Sequence, residues 1–450
     1  MSRYILIDFG ASRVKYACFD AESGKFSGHG DLPAPRPARA EGLFWEESPK
    51  LLREIFLRAC AKACSGQNAP EAVLLSSQMH GFVAVDGKCR PLSNYISWKD
   101  ERSLAPIGKK ESAYDTLGRR LGARYLAVTG MKMRPCFPAF NFAALARAAK
   151  LPRGCRLLSL PEWLCAGCDD DAGLVHETVF AGLGFYDLGK RRLSAAICDA
   201  VQDYCGVRPL FGCPVAELVP AASLKIRGRS VPLFTGVGDH QCAVLGAGNI
   251  NGQTLSVNVG TGSQVSTPGM AGPRGAETRP YFDNAVLGTI THLPAGRALD
   301  EFLGLFGKSR QAGLWRRLGA LTAEQVLESS LEVDLAVFAS AYGYRGGGSV
   351  ACIGPGRLTE QEYLGALVKA MAHNYACAAE ILAGSRLKNA VFGGGVARKI
   401  PALSAAFERV SGIKARVFRD GEETLSGLAQ LALRISGRPN GLEQNKGAGK

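Results

Sequence analysis

Twice along this chain an apolar strand runs into a glycine turn and comes back as a second strand. Tyr4-Ile5-Leu6-Ile7-Asp8 leads through Gly10-Ala11-Ser12 into Val14–Asp20, whose residues alternate between inward and outward positions. The theme returns at Thr254–Val259, with Gly260-Thr261-Gly262 as the turn and Ser263–Ser266 as the returning strand. Such hairpins are common, but one in each half of a chain points to a duplicated fold. The first strand also ends in an acid, an arrangement that sets Asp8 beside a glycine-rich turn.

Around the hairpins, strands and helices alternate. Helical spacing is predicted over 48–65, 140–150 and 193–204, and buried strands over 71–76 and 231–235. In the second half a helix is expected over 360–383, with Thr359 and Glu362 as a capping box. A strand over 389–392 runs into Gly393-Gly394-Gly395, and a helix over 422–435 closes the pattern. This is an α/β chain. Its 450 residues have room for two sizeable cores. A boundary near residue 240 gives domains 1–240 and 241–436, with polar, Gly-rich 437–450 as a flexible tail.

Composition removes several function classes. A hydrophobic content of 46% with 21% charged residues is that of a soluble globular protein. No apolar run approaches the roughly 18 residues of a spanning helix. The opening apolar run is too short for a signal peptide and is interrupted by Asp8, so a cytoplasmic location is expected. The net charge of +14 comes from scattered Lys and Arg, which argues against a nucleic-acid partner. It suits a phosphate-bearing ligand and a generally basic surface equally well. Fourteen cysteines are spread along the chain. Cys60 and Cys64 have the spacing of small core residues in a helix. Cys165 and Cys168 have CxxC spacing but no second ligand pair, so reduced thiols are expected there rather than zinc.

No GxGxxG fingerprint follows a strand, which disfavours a dehydrogenase. Two near-misses to a Walker phosphate loop occur: Gly184–Arg191 lacks the hydroxyl residue and Phe302–Ser309 lacks the first glycine. The glycine turns offer another way to hold phosphate, because bare backbone N–H groups approach its oxygens closely. Gly10 with Ser12, and Gly260, Thr261 and Gly262, are the two candidates, and an acid such as Asp8 can hold Mg²⁺. Gly393-Gly394-Gly395-Val396 leaves room for a flat base against the backbone. Gln78-Met79-His80 follows a buried strand and has polar groups suited to a polyol, although on these residues alone a structural turn with a satisfied histidine is the simpler reading. Trp98-Lys99-Asp100-Glu101-Arg102 sets an aromatic platform beside charges, as a sugar site does, or forms a surface charge cluster. Asp239, in Gly236-Val-Gly238-Asp239-His240, ends a strand where α/β sheets place ligands. An acid there can accept a hydroxyl proton during phosphoryl transfer, or cap a helix beginning near Gln241.

In this order the segments IDFGASRVK, SSQMHG, WKDER, GVGDHQCAVLGAG, VNVGTGSQVS and FGGGVARKIPAL resemble the FGGY carbohydrate kinases over nearly the whole chain. The resemblance implies two ribonuclease-H-like, actin-like ATPase domains with a central cleft that closes on substrate, with ATP between them. It implies Asp239 as catalytic base and a sugar site of Gln78, Met79, His80, Trp98, Asp100, Arg102 and Asp239. Asp8 and Asp239 would hold Mg²⁺. ATP would meet Asp8, Gly10, Ser12, Lys15, Gly260, Thr261 and Gly262, with Gly394, Gly395 and Val396 lining the adenosine pocket. SSQMHG looks like the ketose kinases, xylulokinase and sedoheptulokinase; GDHQCAV and RPYFDNAVLGTITHLPAGRALDEF look closer to the latter. Three positions depart from the family pattern: Ala11 for Thr or Ser, Lys99 for Asn, and Ala295-Gly296 for a glycine pair. The expected activity is transfer of a phosphoryl group to a terminal hydroxyl of a small sugar by a monomer or homodimer, without nucleic acid or membrane. The alternative is a catalytically idle sugar or nucleotide sensor on the same fold.

Overall fold

The computed structural model describes residues 2–64, 69–106, 111–167, 173–249, 252–273, 276–338, 346–418 and 422–437. Cys168 and the tail beyond 437 therefore lie outside the described residues. Contacts group the chain into two compact units. The first is Met1–Gly246 with Arg279–Asn284 and Thr424–Lys450; the second is Ala247–Thr278 with Ala285–Glu423. A simple cut near residue 240 gives the closing segment to the second half, but its side chains bond elsewhere. Gln430 donates to the Leu245 carbonyl at 2.9 Å, and Arg434 pairs with Asp283 at 2.9 Å, both within the first unit.

In the first unit the Arg3–Phe9 strand is buried from Tyr4 onward and lies inside a mixed sheet. Across that sheet the order is Pro220–Ile226, Arg229–Phe234, Ala72–Ser77, Arg3–Phe9, Arg13–Asp20 and Lys25–Pro33. Arg3–Phe9 pairs antiparallel with Arg13–Asp20 and parallel with Ala72–Ser77. Helix Pro49–Ala63 starts at Ser48, whose hydroxyl accepts from Leu51 N–H. Its buried face, Leu52, Ile55, Phe56, Ala59, Cys60 and Ala63, has helical spacing, and each large apolar residue buried there contributes about 1.5–3 kcal/mol. Cys60 thus serves as a small core residue, and Cys165 is buried in the same core. A second core gathers Phe82, Phe137, Phe140, Phe142 and Phe180 under helices Ala113–Leu121, Pro138–Ala149 and Ala195–Cys205. The last helix begins two residues later than its spacing predicts. Arg192–Leu193 is held instead as a short strand against Tyr186–Asp187.

The second unit repeats the strand order. Val286–Leu293, Ser263–Pro268, Thr254–Val259, Asn389–Gly393 and Lys414–Val417 are successive neighbours, the first two pairings antiparallel and the last two parallel. The duplication suggested by the two hairpins is therefore a duplication of topology. Helix Glu360–Ala383 packs on this sheet through Leu364, Leu367, Val368, Met371 and Tyr375. Its expected capping box is one-sided. Thr359 accepts from Glu362 N–H at 3.2 Å, but the Glu362 carboxylate turns to Ser330 N–H at 2.9 Å.

Candidate active site

The register of the first sheet gathers the polar strand ends. Asp8 lies opposite Lys15 in the antiparallel pair and beside Ser76 in the parallel one. The Ser76 hydroxyl donates to Asp8 Oδ1 at 3.0 Å, inside the protein. Val237 and Gly238 run parallel to Ser76 and Ser77. Asp8, Gln78 and Asp239 consequently leave the sheet at the same carboxyl end, where ligands bind in α/β folds. Gly238 lets these side chains close in: a Cβ there would lie 2.6 Å from Gln241 Oε1 and 2.8 Å from Met79 Sδ, so both side chains would have to shift.

Asp239 is the first residue of helix Asp239–Gly246, so it does not cap a helix starting near Gln241. Its Oδ1 accepts from its own neighbour, His240 N–H, at 2.8 Å. Burial and the charge of Asp8 push the Asp239 carboxyl up to about 7, against the opposing pull of His240 N–H and Arg279. Part of its surface stays exposed. Arg279 is buried, with Nη1 at 3.3 Å from His240 Nδ1. Arg279 opens the RPYFDNAVLGTITHLPAGRALDEF segment, but nothing in that segment assigns it to this site; the tertiary fold brings it beside His240. Ser76 is different, since it opens the SSQMHG segment and could have been named with it.

The residues expected to read a sugar divide into two kinds. Gln78 is 3% exposed, and neither its amide oxygen nor its amide nitrogen has a partner among the described residues. His80 adopts φ +62°, stacks on Phe137 with ring centroids 4.7 Å apart, and bonds the Gly182 carbonyl through Nδ1 at 2.8 Å. That carbonyl accepts only, so Nδ1 carries the proton. Met79 is buried between the Gly182 and Gly238 backbones. Trp98 is 43% exposed and offers a ring face, with Lys99 Nζ 5.7 Å from its centroid and 4.3 Å from that of Trp45.

Asp100 and Arg102 are of the other kind. Asp100 is 0% exposed, and its two oxygens accept Trp45 N–H at 2.7 Å, Arg102 N–H at 3.0 Å, and Arg102 Nε and Nη2 at 2.8 Å each. Arg102 also donates to Glu46 at 2.6 Å. This is a closed, charge-assisted network. It holds the Trp98 segment in place and leaves neither Asp100 oxygen without a donor.

In the second unit the strand ends carry backbone instead of acids. Gly260 N–H bonds the Gly262 carbonyl at 3.0 Å, while Gly296 and Arg297 N–H bond the Gly260 and Thr261 carbonyls at 3.1 and 2.9 Å. Thr261 and Gly262 are exposed. Asn258 pairs in parallel with Gly393, which brings the Gly260 turn and the Gly394-Gly395-Val396 segment to one end of the sheet. Gly394 sits at φ +89°, and a Cβ would come within 2.5 Å of the Val259 carbonyl oxygen. Its N–H donates to Glu423 at 3.1 Å, while Gly395 faces open space.

Among the described residues no group of three or more Asp, Glu, His or Cys side chains is arranged to hold a metal, and no helix is long and apolar enough to cross a membrane. Two carboxylates at one strand end are nonetheless a donor set of the kind Mg²⁺ accepts when phosphates and water complete its shell.

Residues 3–141 match the model of the FGGY family of carbohydrate kinases, N-terminal domain. Among individually curated proteins the sequence has no match. Solved structures share the fold at low identity. Gluconate kinase from Lactobacillus acidophilus superposes with a TM-score of 0.80 at 15% identity, over 97% of this chain and 89% of that one. Xylulose kinase from the same organism gives 0.80 at 16%, over 97% and 90%. Glycerol kinase from Plasmodium falciparum gives 0.78 at 15%, over 98% and 92%. Residues 3–141 are thus similar to the N-terminal domain of the FGGY family of carbohydrate kinases, and the mixed α/β fold is shared almost end to end with solved sugar and polyol kinases.

Proposed function

We propose that this protein transfers the γ-phosphoryl group of ATP to a terminal hydroxyl of a small sugar, with Asp239 as general base. The observation that carries the reading is Asp239 itself, a partly exposed carboxylate whose pKa is pushed up to about 7 beside a second acid, Asp8. A base works best when its pKa lies near the working pH, and such a group contributes roughly 10²–10⁴ in rate. Two neighbouring carboxylates also repel each other, and a divalent cation relieves that repulsion. Asp8 and Asp239 would therefore hold Mg²⁺, which when bound with ATP neutralises phosphate charge.

The chain's own groups divide the remaining work. Asp239 takes the proton of the attacking hydroxyl. Gln78, Met79 and His80 hold the sugar, its C–H edge against Trp98, while Asp100 and Arg102 position that segment. Gly10, Ser12 and Lys15 in the first unit, and Gly260, Thr261 and Gly262 in the second, supply donors for phosphate. Gly394, Gly395 and Val396 are assigned to adenosine. A division of labour near residue 240, with the sugar site and first phosphate hairpin before it and the second phosphate hairpin and adenosine site after it, goes with this scheme. Ketoses such as sedoheptulose and xylulose are the first substrates to try, on the SSQMHG resemblance.

The test is ADP release from Mg-ATP with a panel of ketoses, polyols and aldonates. Turnover with one class, abolished in Asp239→Asn, is the expected result. Sugar binding without turnover by the wild-type protein would overturn the reading in favour of a sensor.

A further inference from the structure

Next to the Gln78 turn lie two more buried polar side chains with unsatisfied atoms. Glu47 and Tyr95 are direct partners across an antiparallel strand pair, so their side chains share one face. They are 3% and 0% exposed. Glu47 Oε1 accepts from Trp45 Nε1 at 3.3 Å, whereas Glu47 Oε2 and the Tyr95 hydroxyl have no partner among the described residues. They do not bond each other, yet the phenol is raised by burial and by the charges of both Glu47 and Asp239. The Tyr95 hydroxyl fills the space that a side chain at Gly81 would need, so it abuts the Gln78–Gly81 turn directly.

Leaving a buried polar atom unpaired forfeits its hydration with nothing in return, and native proteins do it rarely. Here Glu47 Oε2, the Tyr95 hydroxyl and both amide atoms of Gln78 have no partner among the described residues; Tyr95 pairs with Glu47 across the strands, and its hydroxyl abuts the turn that holds Gln78. They offer an acceptor, a group that both donates and accepts, and an amide that does each with a different atom. That set complements hydroxyls, each of which is donor and acceptor. A hydrocarbon or a planar base would leave most of it unsatisfied.

We propose that Glu47 and Tyr95 are specificity-determining residues that bind a substrate hydroxyl other than the one Asp239 deprotonates. With Gln78 they form a wall that reads a polyol, and the inference rests on the kinase reading above. The competing occupant is a buried water shared by the two side chains.

The two are separated by Tyr95→Phe and Glu47→Gln, each measured for sugar KM, ATP KM, kcat, sugar binding at equilibrium and melting temperature. Each is nearly isosteric with the residue replaced, and Tyr95→Phe removes an unpaired oxygen, so folding should survive. The expected result is a sugar KM raised about 10- to 100-fold, the range of one or two hydrogen bonds to a charged or buried group, with kcat within about threefold and ATP KM unchanged. Against a series of monodeoxy analogues, wild type should discriminate strongly at one position and Tyr95→Phe should lose that discrimination. A lowered melting temperature with unchanged sugar KM and unchanged deoxy pattern would assign the atoms to water and overturn the proposal. Wild-type turnover with such a result would leave the kinase reading standing. Absence of both sugar binding and turnover in wild type would overturn both.

Discussion

The two sheets share one strand order but end in different chemistry. In the first unit the carboxyl ends carry Asp8, Ser76, Gln78 and Asp239, most of them buried. In the second the corresponding ends carry Gly260, Thr261, Gly262 and Gly394, with backbone N–H groups and an open Gly395. Topology brings parallel strand ends together in both cases; residue type alone decides whether the place suits a proton acceptor or a phosphate. On the proposed assignment, one copy of the fold carries the base while both copies offer donors for phosphate.

Asp239→Asn should break the comparison most severely by making the first sheet end as inert toward protons as the second. Its kcat should fall by about 10² or more while ATP binding stays largely intact. In wild type, kcat/KM should fall about tenfold per unit as pH drops below about 7, because only the ionised carboxylate accepts a proton. Stability should move the opposite way. The folded protein holds the Asp239 proton up to about 7, the unfolded chain only to 3.8, so folding loses stability as pH rises through that window. The Asn variant should therefore be more stable than wild type at pH 8, on the order of 2–4 kcal/mol, and equal to it at pH 3. Near-normal turnover, or no gain in melting temperature at pH 8, would remove Asp239 from the role of a desolvated base.

The Asp100–Arg102 network tests what supports the first site. Removing one member of a buried pair strands the other's charge, so Asp100→Ala should destabilise the protein by about 3–5 kcal/mol. Urea midpoints measure this. If Asp100 touched sugar instead, sugar KM would change with little loss of stability. The same network shows where sequence reading stops. WKDER reads as a sugar-type segment or as a surface charge cluster, because its residue types suit either. That Asp100 is spent on Arg102 and Trp45 N–H depends on a contact 55 residues away, which no local pattern encodes. The hairpins, the helix over 360–383 and the place of Asp8 near a strand end were legible because periodicity and turn glycines act locally. Arg279, Glu47 and Tyr95 were not, since their significance arises only when distant strands pair.

The glycine-ended sheet can be broken separately. Gly394→Ala places a Cβ 2.5 Å from the Val259 carbonyl oxygen at φ +89°, a conformation that disfavours any side chain. A loss of about 1–3 kcal/mol is expected, together with a raised ATP KM. Sugar binding to the first unit should be unchanged. A shift in sugar KM of the same size as that for ATP would mean that the two strand ends do not act as separable sites.

The smallest effect is the sharpest in sign. Gln78 is buried with its amide unpaired, an arrangement that penalises the protein before substrate arrives. Methionine has nearly the same length and no polar atom, so Gln78→Met should stabilise the free protein by up to about 1 kcal/mol. The same change should weaken sugar binding, since the variant loses the bonds that offset desolvation. Melting curves with and without saturating sugar measure both, and the two effects must have opposite signs. Destabilisation of the free protein would show that Gln78 already has a partner, such as an ordered water, and belongs to the scaffold. Stabilisation without loss of affinity would place the sugar elsewhere. Only a gain in the free protein coupled to a loss in the complex keeps Gln78 as a preformed binding group at the acid-ended sheet.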